Sequence, residues 1–216
     1  MEEAGAREKA KREQVLEGAR RVFLRDGFAA VSTDLLAREA RVSKRTLYAY
    51  YPSKEELFVD VLRGLTIDDP RTKVLDFLQT VSPGSLEELR QVLIELAEKM
   101  LTSMMNPDYL RLLRIIIADS HRFPQLAELV RSTIPQQGLK EVGCMLQRAR
   151  AKGVPLEVDT ESLTRLFLGP LLTYVLIDGL LQPDRQPQLP AHDKLLTIVH
   201  LYLKAIVVHE QSRKDE

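Results

Sequence analysis

Eight side chains in the first quarter of the chain are suited to neutralising and hydrogen-bonding anions: Thr33, Ser43, Lys44, Arg45, Thr46, Tyr48, Tyr50 and Lys54. Lysine and arginine can place donors on guanine O6 and N7 in the major groove, and hydroxyls can donate to phosphate oxygens. Residues 41–54 hold Arg41, Lys44, Arg45 and Lys54 and no acidic residue. The chain as a whole is neutral, with 31 Lys+Arg against 31 Asp+Glu in 216 residues. That total hides an asymmetry. Residues 1–54 carry twelve basic and eight acidic side chains, and the remaining 162 carry a matching acidic excess. A basic stripe on a neutral protein suits one face that meets phosphates, although charge alone equally fits a solvated helical surface.

Short helices must position these residues. Val15, Ala19, Val22 and Phe23 recur at helical spacing, so a first helix runs from about residue 7 to 25 and stops at Asp26-Gly27. Ser32 or Thr33 caps a second helix that turns Leu36, Ala37 and Ala40 inward and ends near Arg41. Ser43 caps a third, 44–50, which must end before Pro52. Ser53 and Glu56 have capping-box spacing and open a fourth helix carrying Leu57, Phe58, Val61, Leu62 and Leu65. Val42 and Leu47 supply an apolar lock between the second and third helices, and Ala37 is small where they approach. Ser43, Lys44, Arg45, Thr46, Tyr48 and Tyr50 are left facing outward. This is the layout of a helix-turn-helix.

Residues 27–58, GFAAVSTDLLAREARVSKRTLYAYYPSKEELF, resemble the N-terminal DNA-binding signature of the TetR/AcrR family of transcriptional regulators. The resemblance implies that Thr33 and Tyr48 touch phosphate. It also implies that Lys44, Arg45 and Tyr50 approach bases or backbone, and that Lys54 adds charge at an anion-favouring helix start. The chain departs from the family in places. Arg41 stands where the turn glycine is frequent, at a cost of about 1 kcal/mol if a positive φ is required. Arg45 replaces a frequent glycine, and Ala49 and Tyr51 replace a common Tyr and Phe, with Tyr51 expected in the core.

Beyond residue 65 the pattern stays helical: a short helix near 74–78, then 85–105, 107–119, 123–133, 136–152, 159–182 and 191–211. The expected fold is all-α, with a helix-turn-helix domain over 1–54 and a larger effector-binding and dimerisation domain over 55–216. Residues 109–126, YLRLLRIIIADSHRFPQL, are similar to the effector domain of the AefR-like branch. The family implies a homodimer through the helices near 159–182 and 191–211, reading a pseudo-palindromic double-stranded DNA operator. Leu163, Leu166, Phe167, Leu171 and Tyr174 line one face of the first of these helices. Leu195, Ile198, Val199, Tyr202, Ile206 and Val207 line the second, and both stripes have the pattern of internal core as well. Gly169-Pro170 should kink the first helix.

Met100, Met104, Tyr109, Leu112, Ile116, Phe123, Met145, Phe167, Leu171 and Tyr174 are candidates to line a hydrophobic or amphipathic effector site. Core packing accounts for the same spacing. Asp119 and His121 are the polar candidates, although His121 equally suits a helix end facing water. No nucleotide-binding, hydrolase or metalloprotease motif occurs. His121, His192, His200 and His209 include no i,i+3 or i,i+4 pair, and Cys144 is the sole cysteine, read as a small buried hydrophobe. Neither enzyme, cofactor nor metal is expected. The charged N-terminus has no signal-peptide core, and the apolar run 166–177 is broken by Gly169, Pro170 and Thr173 and reads as too short for a bilayer. The expected location is the cytoplasm. A helical adaptor binding an acidic protein surface and a small helical enzyme are the rival readings.

Overall fold

The structure, a computed structural model, describes residues 2–156 and 159–207, with side chains from residue 5 onward. Its helices are α1 (Glu2–Asp26), α2 (Thr33–Glu39), α3 (Lys44–Tyr50), α4 (Lys54–Gly64), α5 (Val74–Thr80), α6 (Leu86–Met104), α7 (Pro107–Asp119), α8 (Pro124–Ala151), α9 (Thr160–Tyr174) and α10 (His192–Ile206). A π-helical segment, Val175–Leu180, continues α9. Among the described residues no strand forms, and Leu156 and Val207 make an isolated antiparallel bridge. The fold is all-α.

Local chemistry accounts for most helix starts. Ser32, Ser43, Ser53 and Ser85 each accept the backbone N–H three residues on, and Asn106 and Asp159 cap α7 and α9. Such caps are worth about 1 kcal/mol each. Gly27 ends α1 at a φ of 76°, where glycine has no steric penalty. α1 begins earlier than the expected residue 7, where the glutamates and alanines of residues 2–6 favour the helix more than Gly5 opposes it.

The two helices expected over 123–133 and 136–152 are one 28-residue helix with Pro135 inside it. A mid-helix proline costs about 3 kcal/mol. Leu126, Val130 and Ile134 are buried before it, and Val142, Met145, Leu146 and Ala149 after it. At about 1.5–3 kcal/mol for each large apolar side chain, that burial outweighs the lost bond.

These seven side chains enter two different cores. Phe23, Phe28, Leu36, Leu47 and Phe58 of the first four helices pack in one cluster with Tyr109, Leu112 and Ile116 of α7 and the first half of α8. The second half of α8 joins α5, α6, α9 and α10 in the other. The helix-turn-helix unit, as the head of the molecule, is therefore seated on α7 and α8.

Of the two readings open for the stripes on the last helices, most of their residues take the internal-core one. Leu163, Phe167 and Leu171 of α9 and Leu195, Val199, Tyr202 and Ile206 of α10 are packed inside the chain. Leu166, Leu172, Leu176 and Ile177 along α9 and its π extension, Leu181 just after it, and Leu201 on α10 are exposed. Both helices are apolar on more than one side, and of the two stripes expected from the sequence only Leu166 is exposed. α9 also continues through Pro170, so Thr160–Leu180 forms a 21-residue helical run, within which an 18-residue window reaches a mean hydropathy of 1.4. By length and composition alone such a run could cross a membrane, a standard that the core helix of a folded domain also meets. It packs on α8 and α10 as a core helix of this fold. The expected extension of α10 to residue 211, and His209, lie outside the described residues.

Candidate nucleic-acid interface

The helix-turn-helix is held by interactions within and behind it. Ser43 Oγ accepts the Thr46 N–H at 3.0 Å and shares a 2.7 Å hydrogen bond with the Thr46 hydroxyl. These contacts commit Ser43 and Thr46 to starting α3. The Val42 N–H donates to the Ala37 carbonyl at 2.9 Å, closing the turn. Arg41, inside that turn, has a φ of 53°, the left-handed conformation that glycine would adopt without strain. Ala37 and Leu47 are buried between the helices, as their spacing implied.

Two supports from α1 went unnoticed in the sequence. Gln14 Nε2 donates to the Ala40 carbonyl at 2.7 Å. A Cβ on Gly18 would lie 2.7 Å from the Ala40 Cα, so only glycine lets α1 and the end of α2 approach this closely. A third support joins α1 to α4. The Tyr51 hydroxyl donates to Asp60 Oδ2 at 2.7 Å, Asp60 pairs with Arg12, and the Arg12 guanidinium lies 5.8 Å from the Tyr51 ring centroid. Burial, with the Asp60 hydrogen bond second, pushes the Tyr51 phenol above its ordinary range. Tyr51 is buried in the head core.

The outward face comprises Lys44, Arg45 and Tyr48, with Thr33 and Tyr50 half-exposed beside them. Lys44 Nζ meets Asp34 Oδ1 at 2.6 Å, linking the starts of α3 and α2, and this hydrogen bond raises the lysine above its ordinary value. Arg45 is exposed and forms no ion pair among the described residues. The Tyr48 hydroxyl lies 3.5 Å from the Thr33 hydroxyl, which places two prospective phosphate donors side by side. A polar groove on the same head is lined by Gln14, Arg21, Arg38, Glu39 and Arg41.

Lys54 does not stand with this group. Its Nζ donates to the Phe28 and Val31 carbonyls at 2.9 Å each and sits 4.2 Å from the Phe28 ring centroid. Burial lowers its pKa from the ordinary lysine value, with Glu55 and Asp119 acting in the opposite direction. The ammonium is committed to these carbonyls at the helix start where the resemblance implied an added charge for an anion.

The ten candidates for an effector site are not gathered into one cavity. Tyr109, Leu112 and Ile116 are buried in the head-side core, with Phe123 against it. Met145, Phe167 and Leu171 belong to the other core, with Met100 and Tyr174 against it, and Met104 packs on both. A groove of 540 Å³ is lined by Tyr174 together with Asp178, Gln182, Arg185 and Leu189, a more polar set than expected. His121 is exposed, and Cys144 is half-buried rather than buried. Among the described residues no group of His, Cys, Asp and Glu could hold a metal ion.

Comparison with known proteins agrees with this geometry. Residues 15–61 match the model for bacterial regulatory proteins of the tetR family, and residues 91–205 match that for the AefR-like transcriptional repressor C-terminal domain. The HTH-type transcriptional repressor SCO4008 of Streptomyces coelicolor is 41 % identical over 59 residues, 27 % of this chain and 31 % of that protein. The alignment thus spans about a third of that relative's length.

A TetR-family transcriptional regulator from Mesorhizobium loti MAFF303099 shares the fold, with a TM-score of 0.70 and 22 % identity over 94 % of this chain and 99 % of the other. The flavonoid-responsive regulator FrrA aligns with a TM-score of 0.63 and 27 % identity over 92 % of this chain and 98 % of its own. With a capped, outward-facing third helix on a head that matches one family model, and a body that matches its companion across half the chain, this protein belongs to the tetR family of transcriptional regulators and has an AefR-like C-terminal domain.

Proposed function

We propose that this regulator is a repressor that binds a pseudo-palindromic operator as a homodimer and is released by a hydrophobic or amphipathic small molecule. The observation that carries the reading is the exposed Arg45 on the first turn of α3, with Lys44 beside it and Thr33 and Tyr48 flanking. This arrangement suits base contact by the long cations and phosphate contact by the hydroxyls. The dimer follows from the exposed Leu166, Leu172, Leu176, Ile177 and Leu201, an apolar surface that a second copy would cover. Two reading heads would then lie about 34–36 Å apart, one turn of DNA.

Residues 1–54 form the DNA-binding part of this reading and 55–216 the effector and dimerisation part, acting in the cytoplasm without a catalytic step. FrrA's description as flavonoid-responsive and SCO4008's as a repressor support the ligand response and the sign of regulation. The effector would contact the ten apolar candidates by opening the packing around Met104, where both cores meet. Methionines there can repack around varied shapes. Selecting bound sequences from random duplex DNA tests the proposal. An inverted repeat should emerge, with affinity falling steeply as salt rises. Recovery of no preferred sequence, or salt-independent binding by the folded protein, would reject it.

A further inference from the structure

We infer that Lys54 is a positioning residue for DNA binding rather than a phosphate contact, and that it joins the α7–α8 corner to the segment leading into α2. Its Nζ bonds to the Phe28 and Val31 carbonyls, both at 2.9 Å, and Val31 immediately precedes the Ser32 cap of α2. The same ammonium lies 4.2 Å from the Phe28 ring centroid and 5.9 Å from that of Phe123. The two rings meet edge to face at 5.1 Å. A lysine that opens a helix of the head is thus held beside an aromatic side chain from the body.

Phe123 is itself firmly placed. Its N–H donates to the Asp119 carbonyl at 2.9 Å, and its φ of −129° and ψ of 66° keep it out of the α region that the following Pro124 disfavours. The Asp119 carboxylate also favours the charged form of Lys54. Movement of the α7–α8 corner therefore carries Phe123, then Lys54, then the Phe28 and Val31 backbone. That backbone sets the start of α2, against which α3 is packed. Loss of this clamp lowers operator affinity without removing an ionic contact to DNA.

The inference rests on α3 reading the operator. It is tested on the full chain with Lys54→Met, which keeps the stem and removes the charge, and with Phe123→Leu. Operator binding is measured between 50 and 200 mM salt, about the range over which counterion release is read. Each affinity is scaled to the folded fraction seen by circular dichroism. Both variants should weaken binding about tenfold on every duplex with the salt slope unchanged, and the double variant should be no weaker than the worse single one. A slope lower by about one in Lys54→Met would identify a phosphate contact and overturn the inference. Full affinity in Phe123→Leu, or losses that multiply in the double variant, would also overturn it. Should Lys54→Met fail to fold, Phe123→Leu decides alone. Arg45→Ala serves as the control: if it leaves both affinity and sequence preference intact, the assignment of the reading face fails instead.

Discussion

At the scale of single residues, the two adjacent cations on α3 are not equivalent. Lys44 is engaged with Asp34 at 2.6 Å, whereas Arg45 has no ion pair among the described residues and projects from the first turn. Arginine's planar fork can hold both guanine O6 and N7, so Arg45 is the better candidate for direct reading. Arg45→Ala should cost about 1–3 kcal/mol at one position of each half-site and little elsewhere. Competition binding against operators substituted base by base would show this, and a uniform loss across all positions would mark Arg45 as a backbone contact. The candidate reading residues were legible because they lie within eight consecutive positions of a capped helix. The inward commitment of Lys54 was not legible, since its acceptors lie 26 and 23 residues earlier in the chain.

Among the elements, the turn between α2 and α3 and the approach of α1 to α2 make opposite demands on glycine. Arg41 occupies the left-handed region with a non-glycine side chain. Relief of about 1–2 kcal/mol in Arg41→Gly is offset by about 0.5–1 kcal/mol of extra backbone entropy. The expected net is about 0.5 kcal/mol of added stability, visible as a raised urea midpoint with an unchanged m-value. Gly18→Ala should do the reverse. The new methyl would press on the Ala40 backbone at 2.7 Å, where no rotamer change gives room. Overpacking of this kind costs about 1–3 kcal/mol, more than alanine's helix preference of about 1 kcal/mol returns in most of that range. The thermal midpoint should fall by a few degrees, and an unchanged midpoint would mean that α1 and α2 can separate freely. The serine caps were readable because each acts over three residues. Pro135 misled because its local penalty is visible in sequence, while the burial on both sides of it depends on α4, α5 and α9.

For the whole molecule, the decisive surface is the exposed apolar face of α9, its π extension and α10. Ile177 is 55 % and Leu201 60 % exposed, too much for core residues and consistent with a dimer seam. Arg114 fastens this region to α7 by donating to the Gly179 and Leu180 carbonyls at 2.8 Å, and Arg20 of α1 pairs with Asp108 of α7. α7 therefore touches both the proposed seam and the reading head. Ile177→Asp should convert the dimer to monomer in sedimentation and reduce affinity for a full palindrome at least tenfold, while binding to a single half-site persists. A dimer that survives this substitution would place the seam elsewhere.

The sequence by itself determined the helical class, the family resemblance, the serine caps and the basic helix-turn-helix. All of these arise from contacts between near neighbours or from the order of residue types. Only the tertiary structure decided that α8 is continuous, which faces of α9 and α10 remain open, that Gly18 must be small and that Lys54 points inward. Those outcomes depend on which distant segment supplies a carbonyl, a ring or a packing surface. Helical periodicity identifies apolar faces, but it does not specify the element that will cover them.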